Sequence, residues 1–485
     1  MVPYIKNLGV YELIAFVIGF ALLAFELAAS RVLAPTIGSS TYIWTSVIGV
    51  IIAALSLGYA AGGIVADKRT RQSDIVWLLL FSAAAVLFAQ LFAEVFLASL
   101  SNLRLDVRLQ ATLASLLLFM PASFVLGMIS PYLARLKTTA VTNTGRSVAS
   151  LSALNAIGGI VGTFMVGFVF FGYIGTKETL IFIIVLLIAA SWTLVPKYRT
   201  SGRLSASFVI LFVSLFGTYS YLNGSVLADL NTPTARYQVK EGEYQGKPVK
   251  ALVTGPLGYQ SGVYADDSSE LVFKYTRTMA ELALIAPKNS SILMLGGGAL
   301  TIPAYLADKL PDSQIDVVEI DPRLETISKD HFNYYDRPNV RFIGADARSF
   351  LRQNDHKYDV ILVDVYTDLS IPFSLATVEY ARSLNDSLGD GGIAVANIAA
   401  GDNKACAPYL RGLHGSYSYS FKNYSLLPQS STDLSFKQNI VAVYSNSPLE
   451  WMDKISSTQI KTLPSGQKLT DNFAPVERLS HRCLG

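Results

Sequence analysis

Four short stretches between positions 292 and 364 carry residue types and spacings that suit chemistry. An apolar run, Ile292 to Leu295, opens directly into Gly296-Gly297-Gly298. A second ends in Glu319-Ile320-Asp321, a third leads to Gly344-Ala345-Asp346-Ala347, and a fourth, Val360 to Val363, stops at Asp364. Read as parallel strands, each run delivers a glycine turn or a carboxylate at its C-terminal edge, where open α/β sheets hold ligands. Glycine lets backbone come close to a ligand, and the helix that follows offers free N–H groups. Glu319 lies 23 residues after Gly296, a separation that suits an acid gripping ribose hydroxyls. The pattern predicts a site for a nucleoside-type cofactor.

The elements that position these residues occupy only the second half of a 485-residue chain. Residues 1–226 hold 14 Lys+Arg and 7 Asp+Glu; the remainder holds 25 and 29, and all four histidines. The first part reads as seven apolar runs near membrane-spanning length: about 11–34, 42–66, 74–98, 110–134, 147–171, 178–196 and 204–222. The first run is too long, and too soon followed by others, for a cleaved signal. Glu26 and Arg31 lie in or at the end of it, and ionisable residues there face a bundle interior, as a structural pair or a functional polar site. Gly58, Gly62, Gly63, Asn155, Gly158 and Gly159 suit close helix packing. Gly63 to Arg71 resembles the loop between the second and third helices of major facilitator transporters, with Thr70 where that motif usually has glycine.

Charge placement bears on orientation. The N-terminus and the second, fourth and sixth loops carry ten Lys and Arg residues against three in the opposite loops. The positive-inside rule therefore puts the N-terminus in the cytoplasm. Seven crossings would leave the C-terminal part outside. The seventh run is serine-rich, and a nucleoside-type cofactor is a cytoplasmic compound, so the soluble part is expected there despite the count. Cys406 and Cys483 permit one bridge, which suits an external domain, or two thiols, which suit a cytoplasmic one. No metal-ligand spacing is visible, so no metal is expected. The soluble part is slightly acidic and lacks a basic run, which argues against nucleic acid.

Residues 227–290 read as short strands (237–240, 249–253, 262–264) punctuated by glycine, a small antiparallel cap ahead of the doubly wound sheet. With this order, residues from about 232 to 400 resemble spermidine synthases, the polyamine aminopropyltransferases. The match rests on Gln260-Ser261, Glu270 to Tyr275, the three glycines, Glu319-Ile320-Asp321-Pro322, Asp346-Ala347 and Tyr358 to Asp364. Glu26 with Arg31 to Pro35, and Leu469 to Glu477, look like a bacterial subgroup that fuses a membrane domain to the synthase-like domain.

The resemblance implies roles. Glu319 would hold the ribose of decarboxylated S-adenosylmethionine, Asp346 and Ala347 the adenine, and Gln260 the nucleoside from the cap; Gly296, Gly298 and Pro372 complete the cofactor set. Asp364 would take a proton from the attacking amine, with Tyr275, Tyr366 and Asp368 on the amine side. A polyamine or other small amine is the implied acceptor, and a homodimer is left open. This sequence departs from the family at three places. Ala299 stands where an acid usually meets the aminopropyl amine, Thr276 follows Tyr275 in place of His, and the run after Asp364 is one residue longer. The nucleoside half of the site is better preserved than the amine half.

Plainer roles stand beside these. Glu319 could be an ordinary strand-end acid, Asp364 a cap, Gln260 a strand neighbour, and Asp471 and Glu477 a solvated tail. Tyr417, Tyr419, Phe421 and Tyr424 alternate, which predicts a half-buried strand. The fold class that results is a multi-pass helical membrane domain (1–226) followed by α/β: a β cap (227–290) and a Rossmann-like, class I methyltransferase-type sheet (291–485). The expected function is aminopropyl transfer. Methyl transfer from S-adenosylmethionine, and solute binding or transport by the membrane half, are the alternatives.

Overall fold

The computed structural model describes residues 9–481 and 483, apart from 102, 104, 139–143, 195–199, 221–225, 233, 256–257, 267–268, 367–369, 450–451, 453–458 and 465. Two compact units emerge: residues 1–224 with 229–236, and residues 225–228 with 237–485.

The first unit is helical because its runs are apolar all round, with backbone polar groups satisfied only within each helix. In order come α1 (Val10–Ile37), α2 (Thr41–Lys68), α3 (Gln72–Ser101), α4 (Val107–Leu118), α5 (Met120–Lys137), α6 (Thr144–Phe164), α7 (Phe171–Tyr173), α8 (Thr176–Thr193) and α9 (Thr200–Ser220). Among the described residues, five helices are long and apolar enough to cross a membrane. The fourth apolar run is not one straight helix: α4 and α5 meet at a 53° bend, and counting that pair as one span raises the number to six. Pro121 opens α5 at the break, where its missing N–H interrupts the helical ladder. The seventh run appears as a shorter apolar helix, Gly202–Gly217. Small residues set the close approach of α1 and α6; a Cβ on Gly162 would sit 2.6 Å from the Phe20 carbonyl oxygen. Arg31 lays its guanidinium over the Phe171 ring, 4.9 Å from its centroid. In the transporter-like loop, Arg69 pairs with Asp74 at 3.0 Å, and the Tyr132 hydroxyl of α5 donates to the same carboxylate at 2.6 Å.

In the second part of the chain, a four-stranded sheet follows the order β1 (Val226–Asn231), β2 (Arg236–Tyr244), β3 (Lys247–Val253), β4 (Ser261–Tyr264), with antiparallel pairing of β2, β3 and β4. After α10 (Lys274–Ala283) comes a seven-stranded mixed sheet. Its strands are β5 (Ser291–Leu295), β6 (Gln314–Glu319), β7 (Val340–Gly344), β8 (Tyr358–Val363), β9 (Leu388–Ala400), β10 (Asn423–Pro428) and β11 (Gln438–Ser445), in the order β10-β11-β9-β8-β5-β6-β7. Strands β5 to β9 pair in parallel; β11 runs antiparallel to β9 and to β10. Helices α11 (Thr301–Lys309), α12 (Arg323–His331), α13 (Ala347–Gln353), α14 (Val378–Asp386) and α15 (Ala407–Ser418) connect the strands, and α16 (Val476–His481) closes the described chain. Two apolar cores flank the sheet, one holding Leu293 and Ile361, the other Ile292 and Leu362. That double burial explains why these strands read as continuous apolar runs.

The fold class expected from the sequence agrees with this architecture. The aromatic stripe does not. Tyr417 ends helix α15, buried with its hydroxyl donating to the Leu375 carbonyl at 2.8 Å, while Tyr419 is exposed and Tyr424 lies in β10. Alternation over four aromatics spans a helix end, a turn and a strand start, so no single period governs it.

Candidate active site

The chain leaves β5, builds β6 and β7 outward on one side, and returns to place β8 on the other side of β5. The switch point at which such sheets bind ligands therefore falls beyond the ends of β5 and β8. Gly296 and Asp364 flank it. Gly296 has φ +86°, and a Cβ there would run into the Asp364 backbone; the Asp364 N–H donates to the Leu295 carbonyl at 2.9 Å. Only glycine fits this crossing.

Glu319 ends β6 and is buried. Its Oε2 accepts from the Gly297 N–H at 2.8 Å and the Gly298 N–H at 3.4 Å, and its Oε1 from the Asp321 N–H at 3.1 Å. Burial pushes its carboxyl up, and these backbone bonds pull it back. The acid thus braces the glycine turn from beneath, and its Oε1, which accepts one bond, keeps lone-pair capacity for a hydroxyl. From the cap, the Ser261 Oγ accepts from the Ala299 N–H at 3.2 Å. Gln260 precedes β4, and its N–H donates to the Leu252 carbonyl at 2.8 Å.

Asp364 sits one residue past β8. Its Oδ1 accepts from the Asn397 Nδ2 at 2.9 Å, and Tyr275 at the start of α10 also hydrogen-bonds the carboxylate. Burial raises the Asp364 carboxyl to about 6, against the lowering effect of those two donors. Burial and the Asp364 charge together hold the Tyr275 hydroxyl well above its ordinary range. That hydroxyl also reaches the Gln260 carbonyl oxygen at 3.4 Å. Behind Asn397, the Asn439 Nδ2 donates to the Asn397 Oδ1 at 2.9 Å, which fixes the orientation of the amide. A carboxylate that titrates near 6 and is held at the switch point can accept a proton at neutral pH.

The geometry brings Gly296, Gly298, Glu319, Gln260, Tyr275 and Asp364 together. Asp346 caps α13 by accepting from the Ser349 N–H at 2.8 Å, and Ala347 is the buried first residue of that helix. Pro372 precedes a 3-10 turn, where its carbonyl accepts from the Leu375 N–H. Tyr366 is tied to β9: its hydroxyl accepts from the Ala399 N–H at 2.6 Å and donates to the Asn397 carbonyl at 3.2 Å. It anchors the segment after Asp364. Asp368 lies outside the described residues. Asn397 and Asn439 were missed by sequence reasoning. The signal for Asn397 is one amide inside the otherwise apolar run Ile393 to Ala400. The C-terminal segment is docked, since Asp471 pairs with Arg348 (2.8 and 2.5 Å) and accepts from Thr377 at 2.9 Å.

These features define a Rossmann-like α/β domain with its candidate ligand site at the switch point. Residues 272–400 match the spermine/spermidine synthase domain, and polyamine aminopropyltransferases are among the homologues of the chain. The enzyme of that name from Vibrio vulnificus is 33% identical over 142 residues, which cover 28% of this chain and 48% of that protein. Polyamine aminopropyltransferase 2 of Aquifex aeolicus is 22% identical over 416 residues, covering 81% and 79%. The chain thus spans about half the length of the Vibrio relative. A solved spermidine synthase from Thermotoga maritima is 16% identical, with a TM-score of 0.36, 46% of this chain covered and 73% of that one.

Proposed function

We propose that this chain is a membrane-anchored transferase that moves an aminopropyl group from decarboxylated S-adenosylmethionine to a small amine. The observation that carries the reading is the half-buried Asp364, held by Asn397 beside Tyr275 at the switch point next to the Gly296 turn. The residues suit a nucleoside sulfonium: the Cβ-free turn admits backbone contact, and Glu319 stands at its base. When bound, that donor supplies a carbon activated by its positive sulfur. The amine nitrogen bonds to that carbon, the carbon–sulfur bond breaks, and methylthioadenosine leaves with the electron pair. Asp364 accepts the proton that the amine loses. Tyr275 and Asn397 hold the carboxylate, and Glu319 with Gln260 and the Asp346–Ala347 corner holds the nucleoside.

Ala299 favours a second reading. It is buried and apolar at the end of the glycine turn, so it offers no counter-ion for a donor ammonium. Methyl transfer from S-adenosylmethionine itself is compatible with that gap. Calorimetric titration of the purified protein with both donors separates the two readings. Heat with neither donor overturns both.

The soluble part is placed in the cytoplasm in this proposal, because nucleoside sulfoniums are made there. That placement requires Cys406 and Cys483, which the structure joins as a disulfide with Cα atoms 4.4 Å apart, to be thiols in the cell.

A further inference from the structure

Strand β11 runs antiparallel to β9, pairing Gln438 with Ala400 and Asn439 with Ala399. Its first residues therefore lie at the edge that carries Gly296 and Asp364. Side chains alternate along it. Gln438 turns into its own loop, where its Oε1 accepts from the Ser430 and Ser431 N–H groups at 2.8 and 3.0 Å. Asn439 takes the opposite face, where it bonds Asn397 and, through it, Asp364. Lys437 lies one residue ahead of β11, and continuing the strand's alternation would put its side chain on the face of Asn439, about 7 Å further along. It is half-buried and, among the described residues, pairs with no carboxylate. Arg411 illustrates the contrast: it is matched by Asp402 at 2.7 Å. Burial lowers the Lys437 ammonium to about 8.

A half-buried cation without a partner is costly unless something bound supplies the opposite charge. It would also repel the far ammonium of a diamine whose near nitrogen rests on Asp364. We infer that Lys437 is the counter-ion for the carboxylate of a small zwitterionic reactant, bound at the edge that carries Asp364. That carboxylate belongs either to an amino-acid-like acceptor or to the methionyl group of S-adenosylmethionine. The inference rests on the transferase reading above and narrows its substrate class.

The test uses full-length protein in detergent, as wild type, Lys437→Gln and Lys437→Glu, with thermal melting to confirm folding. Methylthioadenosine release is measured with putrescine and with 4-aminobutyrate as acceptors. Binding of S-adenosylmethionine and of its decarboxylated form is measured in parallel. If the acceptor carries the carboxylate, wild type favours 4-aminobutyrate by about tenfold or more in kcat/KM, and Lys437→Glu reverses the preference. If the donor carries it, both variants lose about tenfold affinity for S-adenosylmethionine and none for the decarboxylated form. Unchanged acceptor preference and unchanged donor affinity in both variants overturn the inference. Putrescine turnover equal in wild type and Lys437→Glu, together with unchanged affinity for S-adenosylmethionine, would do so while leaving the transferase reading intact. Absence of product with every acceptor, and of binding by either donor, would remove that reading itself.

Discussion

In the proposed transfer Asp364 is the residue on which the chemistry would turn, and its desolvation has two consequences. The base works ionised, so kcat/KM should rise as pH passes through about 6 and level off above it. Asn397 lowers that value by donating to the carboxylate. Asn397→Leu should therefore shift the acid limb to higher pH, whereas a purely structural role would lower the rate without moving the limb. The second consequence is for stability. The folded carboxyl titrates above its ordinary 3.8. Its contribution is neutral below about 4, turns unfavourable as pH rises through about 4 to 6, and stays so above. The rise from 3.8 to about 6 corresponds to roughly 3 kcal/mol. Asp364→Asn should thus raise the melting temperature at pH 7.5 while cutting turnover steeply; a lower melting temperature at that pH would contradict the assignment.

At the scale of elements, the glycine turn is the most exacting piece. Gly296→Ala adds a Cβ at φ +86° against the Asp364 backbone, so it should reduce donor binding at least about tenfold in calorimetry, since strain there costs about 1–3 kcal/mol. Wild-type affinity in the variant would show that the turn does not set the site. The four parallel strands and their edge residues were legible because burial on both faces leaves unbroken apolar runs that end in glycine or acid. The bend between α4 and α5 was not legible, since composition does not distinguish one long apolar helix from two that meet at Phe119 and Pro121. Asn397 and Asn439 escaped because their function arises from pairing across β9 and β11, strands separated by a helix and another strand. Asp346 was legible as an acid following a strand, and its helix-capping role appears only with the Ser349 contact.

Across the whole molecule, an apolar helical half precedes a synthase-like half. Ten Lys and Arg residues lie on one set of loops and three on the other. A cytoplasmic soluble part predicts that Cys406 and Cys483 are both alkylated when cells are lysed into a thiol reagent, a mass increase of two adducts. A bridged pair under the same conditions would move this part outside the cytoplasm and separate it from the pool of nucleoside sulfoniums. Extraction should require detergent, because helices such as Val10–Ile37 and Gln72–Leu100 are long and apolar enough to span a bilayer.

The most direct test of the transferase account is release of methylthioadenosine from decarboxylated S-adenosylmethionine by the purified full-length protein, with amine acceptors supplied and Asp364→Asn run alongside. The account predicts acceptor-dependent release that falls by roughly 10²–10⁴-fold in Asp364→Asn, with donor affinity nearly unchanged. Equal release by wild type and Asp364→Asn, or donor binding without acceptor-dependent release by either, would contradict it.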